Sequence, residues 1–161
     1  MGYCLGGTLL AALLAYLAVK KQKRIASATF MTALVDFSNP GELGVFIDEA
    51  QIDSLEKKMN ERGYLEGSEM ASTFNLLRAN DLVWSFVVNN YLLGKDPFPF
   101  DLLYWNADQT RMPSLMHAQY LRGLFLENRL TAGRYAVEDR VIALRDIDAP
   151  VFLVGTEKDH I

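Results

Sequence analysis

The strongest constraint on this sequence is a glycine-flanked cysteine that runs straight into an apolar helix. Residues 2–7 read Gly-Tyr-Cys-Leu-Gly-Gly. Leu9, Leu10, Leu13, Leu14 and Leu17 follow among small alanines, up to Lys20, Lys21, Lys23 and Arg24. Counted from Gly6, the uncharged run is 14 residues, short of the roughly 18 needed to span a bilayer. The cations follow the apolar stretch, whereas a secretory signal places them before it. The pattern predicts a helix buried on nearly every face, with a solvated basic C-terminal turn that complements the helix dipole.

The rest of the chain alternates strand and helix signals. Ala28 to Val35 reads as a buried parallel strand, ended by Asp36, Ser38, Asn39, Pro40 and Gly41. Asp48-Glu49-Ala50-Gln51 has the form of a capping box opening a helix with Ile52, Leu55 and Met59 on one face, and Gly63 closes it. Further helices are expected over 68–77, from Asn80 or Asp81 to Gly94, and from Pro113 at a first turn to about Asn128. Between the last two lies a Pro- and aromatic-rich connection with Phe98, Phe100, Tyr104 and Trp105. Residues 131–149 read as irregular, with a possible strand at 141–144, and Val151 to Val154 as a short strand. Strands separated by helices indicate an α/β parallel sheet. The helical stretch is too long for a simple crossover, and about 40–130 is expected to form a cap on the edge where α/β sites lie.

Composition narrows the function classes. With 161 residues, 50% hydrophobic and 22% charged, the chain can build a core, which excludes intrinsic disorder. A net charge of −4 argues against a general nucleic-acid binder. The single cysteine forbids an internal disulfide and suits a reducing compartment. No Cys/His or HExxH spacing supports a metal, and no phosphate-binding glycine loop is present.

Gly2-x-Cys4-x-Gly6 has the spacing of a nucleophile elbow, with Cys in place of Ser. Such a turn needs glycines so that strand and helix can approach, and the helix N-terminus favours negative charge on the thiolate. The N–H of Leu5 would face the oxyanion hole. The competing reading is a small buried Cys in a Gly-rich turn; the long apolar helix directly behind favours the elbow. A triad in this fold class runs nucleophile, acid, His. Asp36 and Asp159 both follow apolar strands and are both candidate acids. His117 falls inside a helix and reads as structural, while His160 adjoins Asp159 and points elsewhere.

Several long segments resemble the class I poly(3-hydroxyalkanoate) synthases: 2–10, 36–48, 77–94, 97–106 and 150–161. The resemblance runs nearly end to end. It implies an incomplete α/β-hydrolase fold with a mostly helical cap, in an acyltransferase that polymerises (R)-3-hydroxyacyl-CoA, 3-hydroxybutyryl-CoA in particular, into polyester through a covalent Cys thioester. CoA is then a leaving group and no cofactor is implied. It makes Cys4 the nucleophile, with Leu5 as backbone oxyanion donor, and favours Asp159 over Asp36 as the acid. It further implies a cytoplasmic enzyme at the polyester granule surface, a homodimer when complete, with no nucleic-acid partner. The catalytic His of that family has no counterpart here. The domain is therefore expected to lack an N-terminal part and a C-terminal His segment, and the isolated 161 residues to be inactive. A cysteine hydrolase of the same fold and a non-enzymatic granule-surface protein are the alternatives.

Overall fold

The computed structural model describes residues 1–97, 101, 104, 108 and 110–157. In chain order the strands are β1 (Gly2–Tyr3), β2 (Ala28–Met31), β3 (Tyr64–Leu65), β4 (Met112–Pro113), β5 (Tyr135–Val137), β6 (Arg140–Ile142) and β7 (Val151–Val154). The α-helices are α1 (Leu5–Val19), α2 (Glu49–Arg62), α3 (Gly67–Leu77) and α4 (Ser114–Tyr120). The chain divides into two compact units, Met1–Ile52 with Gln119–Ile161, and Asp53–Ala118.

In the first unit a three-stranded parallel sheet runs in the order β1-β2-β7. Gly2 pairs with Phe30 and Tyr3 with Met31 on one side of β2; Ala28 to Met31 pair with Val151 to Val154 on the other. α1 is the crossover between β1 and β2. Ala28 and Phe30, alternate residues on one face of β2, pack with Ala11 and Leu14 of α1, as a period of two requires. A second cluster gathers Ala15, Phe37, Leu124, Phe125, Leu130 and Ile142. In it the Phe37 and Phe125 rings meet edge to face at 4.7 Å. α1 ends in a Schellman motif: Lys21, at φ 55°, donates to Ala18 O, and Gln22 donates to Leu17 O, both at 2.9 Å.

Three expectations are corrected here. α1 is not buried on nearly every face: Leu5, Leu9 and Leu13, spaced at i, i+4 and i+8, are exposed, Leu9 to 70%. β2 stops at Met31 because Thr32 adopts φ 45°, which a strand cannot continue. The 131–149 stretch holds a hairpin in which Tyr135 pairs with Ile142. Its turn residues Glu138 and Asp139 both have positive φ. That is a tight-turn conformation usually signalled by Asn-Gly, so Glu-Asp concealed it. The hairpin is latched to α1: the Tyr16 hydroxyl donates to Glu138, and Lys20 pairs with the same carboxylate at 3.7 Å. These two contacts, led by the Tyr16 hydrogen bond, hold the Glu138 carboxyl below its ordinary range.

Asp48 opens α2, its Oδ1 accepting the Gln51 N–H at 2.8 Å. The Gln51 side chain turns to the Asp48 carboxylate at 2.7 Å. In the second unit, Gly63 (φ 84°) ends the helix and leads into β3, which pairs antiparallel with β4. Pro113 therefore sits in that short ladder, opposite Tyr64, and not in the helical turn expected of it. Asn80–Trp84 and Val87–Leu92 are π-helical, with Trp84, Tyr91 and Leu92 exposed. Among the described residues no helix is long and apolar enough to cross a membrane. The expected aromatic cluster at Phe98, Phe100 and Trp105 lies outside the described residues.

Asn128, at φ 44°, clamps the segment after β2. Its Oδ1 accepts the Phe37 N–H at 3.0 Å, and its Nδ2 donates to Asp36 at 2.7 Å. Asn128→Ala should lower stability by about 2 kcal/mol, because it strips the acceptor from a half-buried N–H and puts Ala where Asn tolerates positive φ. Thermal unfolding measures it. The Asp36 carboxyl is held below its usual value of 3.8, chiefly by the Ser38 N–H and then by Asn128. A depressed carboxylate contributes stability above its ordinary range and loses that contribution as pH falls through the lowered value. Wild type should therefore lose stability more steeply than Asp36→Asn as pH drops below 3.8, read from melting temperatures across an acid series.

Candidate active site

The segment between β1 and α1 is a sharp strand-to-helix turn. Cys4, its apex, has φ 49° and ψ −124°, a region that L-residues enter only under strain. Its N–H donates to Met31 O of the neighbouring strand at 3.0 Å, and its carbonyl accepts from Gly7 N–H at 2.9 Å. The thiol is exposed and makes no capping bond to the helix. The alternative of a small buried Cys is thus overturned. Leu5 is the first residue of α1, so its N–H has no acceptor within the helix.

Glycines make this turn possible, but not the expected pair. A Cβ on Gly2 would lie 2.6 Å from Gly6 O and Gly7 Cα, and one on Gly7 would overlap the Ala33 methyl. A Cβ on Gly6 would meet nothing within 4 Å. The close contact therefore depends on Gly2 and Gly7, and Gly6 is sterically free. Thr8 secures the helix start, its hydroxyl donating to Leu34 O at 2.5 Å.

β2 and β7 end at the same sheet edge as Cys4, and Thr32 N–H donates to Val154 O at 2.8 Å. Asp159 and His160 lie outside the described residues. Asp36 braces its own loop, with Oδ1 accepting from Ser38 N–H at 3.0 Å as well as from Asn128. His117 lies in the second unit, on α4, buried, and burial lowers its pKa. A residue the sequence did not announce is Tyr120. It packs edge to face on Phe125 at 5.2 Å. Burial, with a smaller contribution from charge on Cys4, pushes its phenol up to about 12, so it stays protonated. Nothing in its spacing distinguished it from core aromatics. A cavity of about 400 Å³, lined by Leu17, Ile25 and Pro150 among others, opens toward the start of β2 and β7, away from Cys4. No group of metal-ligating side chains occurs among the described residues.

The alpha/beta hydrolase fold family matches residues 1–161. The chain belongs to that family. It is 54% identical over 161 residues to a poly(3-hydroxyalkanoate) polymerase subunit PhaC of Rhizobium meliloti, covering 100% of this chain and 26% of that protein. The poly(3-hydroxyalkanoate) polymerase of Methylorubrum extorquens is 54% identical over 160 residues, 99% of this chain and 26% of that one. The PhaC subunit of Cupriavidus necator is 41% identical over 167 residues, 100% of this chain and 28% of its own length. The chain thus spans about a quarter of these relatives. Within the alpha/beta hydrolase fold, a strained residue between a strand and the following helix is where the nucleophile stands.

Glycine substitutions test this geometry. Gly2→Ala and Gly7→Ala should each cost about 3 kcal/mol or more, because backbone and a core methyl must move. Gly6→Ala should be neutral or stabilise by up to about 1 kcal/mol through helix propensity. Denaturant unfolding of the three variants measures the order; equal losses at Gly6 and Gly7 would contradict it.

Proposed function

We propose that the protein carrying this chain is a poly(3-hydroxyalkanoate) polymerase, an acyltransferase acting on (R)-3-hydroxyacyl-CoA, with 3-hydroxybutyryl-CoA as the expected monomer. The observation that carries the reading is the exposed, strained Cys4 at the head of α1, in a chain whose full length aligns with proteins named as polymerases.

The chemistry follows from the groups at the turn. The Cys4 thiolate attacks the carbonyl carbon of the acyl-CoA thioester. A carbon–sulfur bond to Cys4 forms, the bond to CoA sulfur breaks, and CoA leaves as its thiolate, which takes up the proton that the Cys4 thiol gave up on ionising. The N–H of Leu5 supports the negative oxygen of the tetrahedral intermediate. The 3-hydroxyl oxygen of a second acyl unit then attacks the Cys4 thioester. The ester bond forms, the hydroxyl proton passes to a base, and Cys4 is released as thiolate. Exchange of one thioester for another is nearly balanced, so the acyl group keeps its reactivity while it is held. Asp159 is the acid of the triad in this reading. The engagement of Asp36 by Ser38 and Asn128 supports leaving it out. Association with the polyester granule surface and a homodimer belong to the same reading.

Cys4→Ala in the complete protein should abolish both polymer formation and covalent labelling by radioactive acyl-CoA, a loss of roughly 10³-fold or more in turnover. Its melting temperature should be nearly unchanged, since an exposed sulfur is removed. Labelling that survives in Cys4→Ala sinks the assignment. Asp159→Asn should slow turnover far more than Asp36→Asn in folded protein; the reverse order would make Asp36 the acid.

A further inference from the structure

Thr32 stands beside the nucleophile in a conformation that its side chain disfavours. Tyr3 pairs with Met31, so Cys4 and Thr32, the residues that follow, leave neighbouring parallel strands side by side, about one strand spacing (~4.8 Å) apart at that point. Both are fixed by their N–H groups, Cys4 on Met31 O and Thr32 on Val154 O. Both have positive φ, 49° and 45°. The other non-glycine residues with positive φ among those described are Lys21, Asn128, Glu138 and Asp139, which serve a helix cap, a clamp and a hairpin turn. Thr32 alone among the six is β-branched, the class for which positive φ is a genuine outlier. Glycine would adopt it without steric cost.

The hydroxyl of Thr32 is also unspent. Thr8 and Thr131 donate theirs to Leu34 O and Val35 O. No side-chain hydrogen bond ties that of Thr32 to another described residue, and the residue is half-buried, so solvent reaches it. A stiff side chain with a solvent-accessible hydroxyl, at a position where glycine would relieve strain, points to function more than to stability. We propose that Thr32 is a specificity-determining residue whose hydroxyl hydrogen-bonds the 3-hydroxyl of the acyl group carried on Cys4. That substituent lies two carbons beyond the carbonyl, so it stays within about one strand spacing of the sulfur. A threonine hydroxyl can donate to it or accept from it. The proposal rests on the reading of Cys4 as nucleophile and of a hydroxyacyl thioester as substrate.

The test is single-turnover acylation of the complete enzyme with radiolabelled 3-hydroxybutyryl-CoA and with butyryl-CoA, which lacks the 3-hydroxyl. Thr32→Val, which keeps shape and stiffness, should slow acylation by 3-hydroxybutyryl-CoA about fivefold and leave butyryl-CoA unchanged. Thr32→Ser should restore the preference to within about twofold. Thr32→Gly should lose the preference as Val does while melting no lower than wild type. Equal slowing with both thioesters, or no slowing in Thr32→Val, overturns the role of Thr32 alone. Label that persists in Cys4→Ala overturns the nucleophile reading and this proposal with it.

Discussion

The close contact between the start of α1 and the strands beneath it sets the rest of the first unit. Gly2 and Gly7 leave no room for a methyl, and this lets the chain reverse from strand to helix within one residue. The cost falls on Cys4, which takes the strained backbone. In return its thiol stands clear of the sheet, with an N–H of the helix start beside it. Ala33 and Leu34 supply the other side of the contact, through a methyl against Gly7 and a carbonyl for Thr8. The turn at Thr32 that delivers them there is therefore part of the same construction as the elbow itself.

Much of this was legible in the residues. The glycine-cysteine spacing followed by an apolar run pointed to a sharp strand-to-helix turn at Cys4, and the turn is there, although Gly6 of that spacing takes no part in the close contact. Val151 to Val154 and the start of β2 were legible as short β-rich runs. Other parts were hidden for physical reasons. Which glycines matter depends on what lies opposite, and Ala33 is distant in sequence from Gly7. The end of β2 at Met31 depends on a backbone torsion that threonine does not advertise. The hairpin turn at Glu138-Asp139 lacks glycine, and its Glu138 contacts, Tyr16 and Lys20, are distant in sequence. Tyr120 is an ordinary aromatic by spacing, and only the fold brings it within electrostatic reach of Cys4.

The exposed apolar surface has two distinct origins. The Leu5, Leu9 and Leu13 stripe of α1 and all four residues of β7 belong to the sheet unit. Trp84, Tyr91 and Leu92 belong to the helical unit, where π-helical winding spreads large side chains around the axis instead of gathering them on one face. A sequence pattern judged by α-helical period mistakes the first for buried core and cannot resolve the second.

The hairpin latch gives α1 an anchor at each end. Near its start, Thr8 ties it to Leu34; toward its end, Tyr16 and Lys20 tie it to Glu138. A helix of this length spans roughly 22 Å, so it behaves as a beam pinned at two points, with the Cys4 sulfur overhanging one of them. Loosening the far pin would let the beam tilt about the near one, and even a slight rotation there would displace the Cys4 sulfur. The position of Cys4 is in that sense set partly by a carboxylate on the distant hairpin.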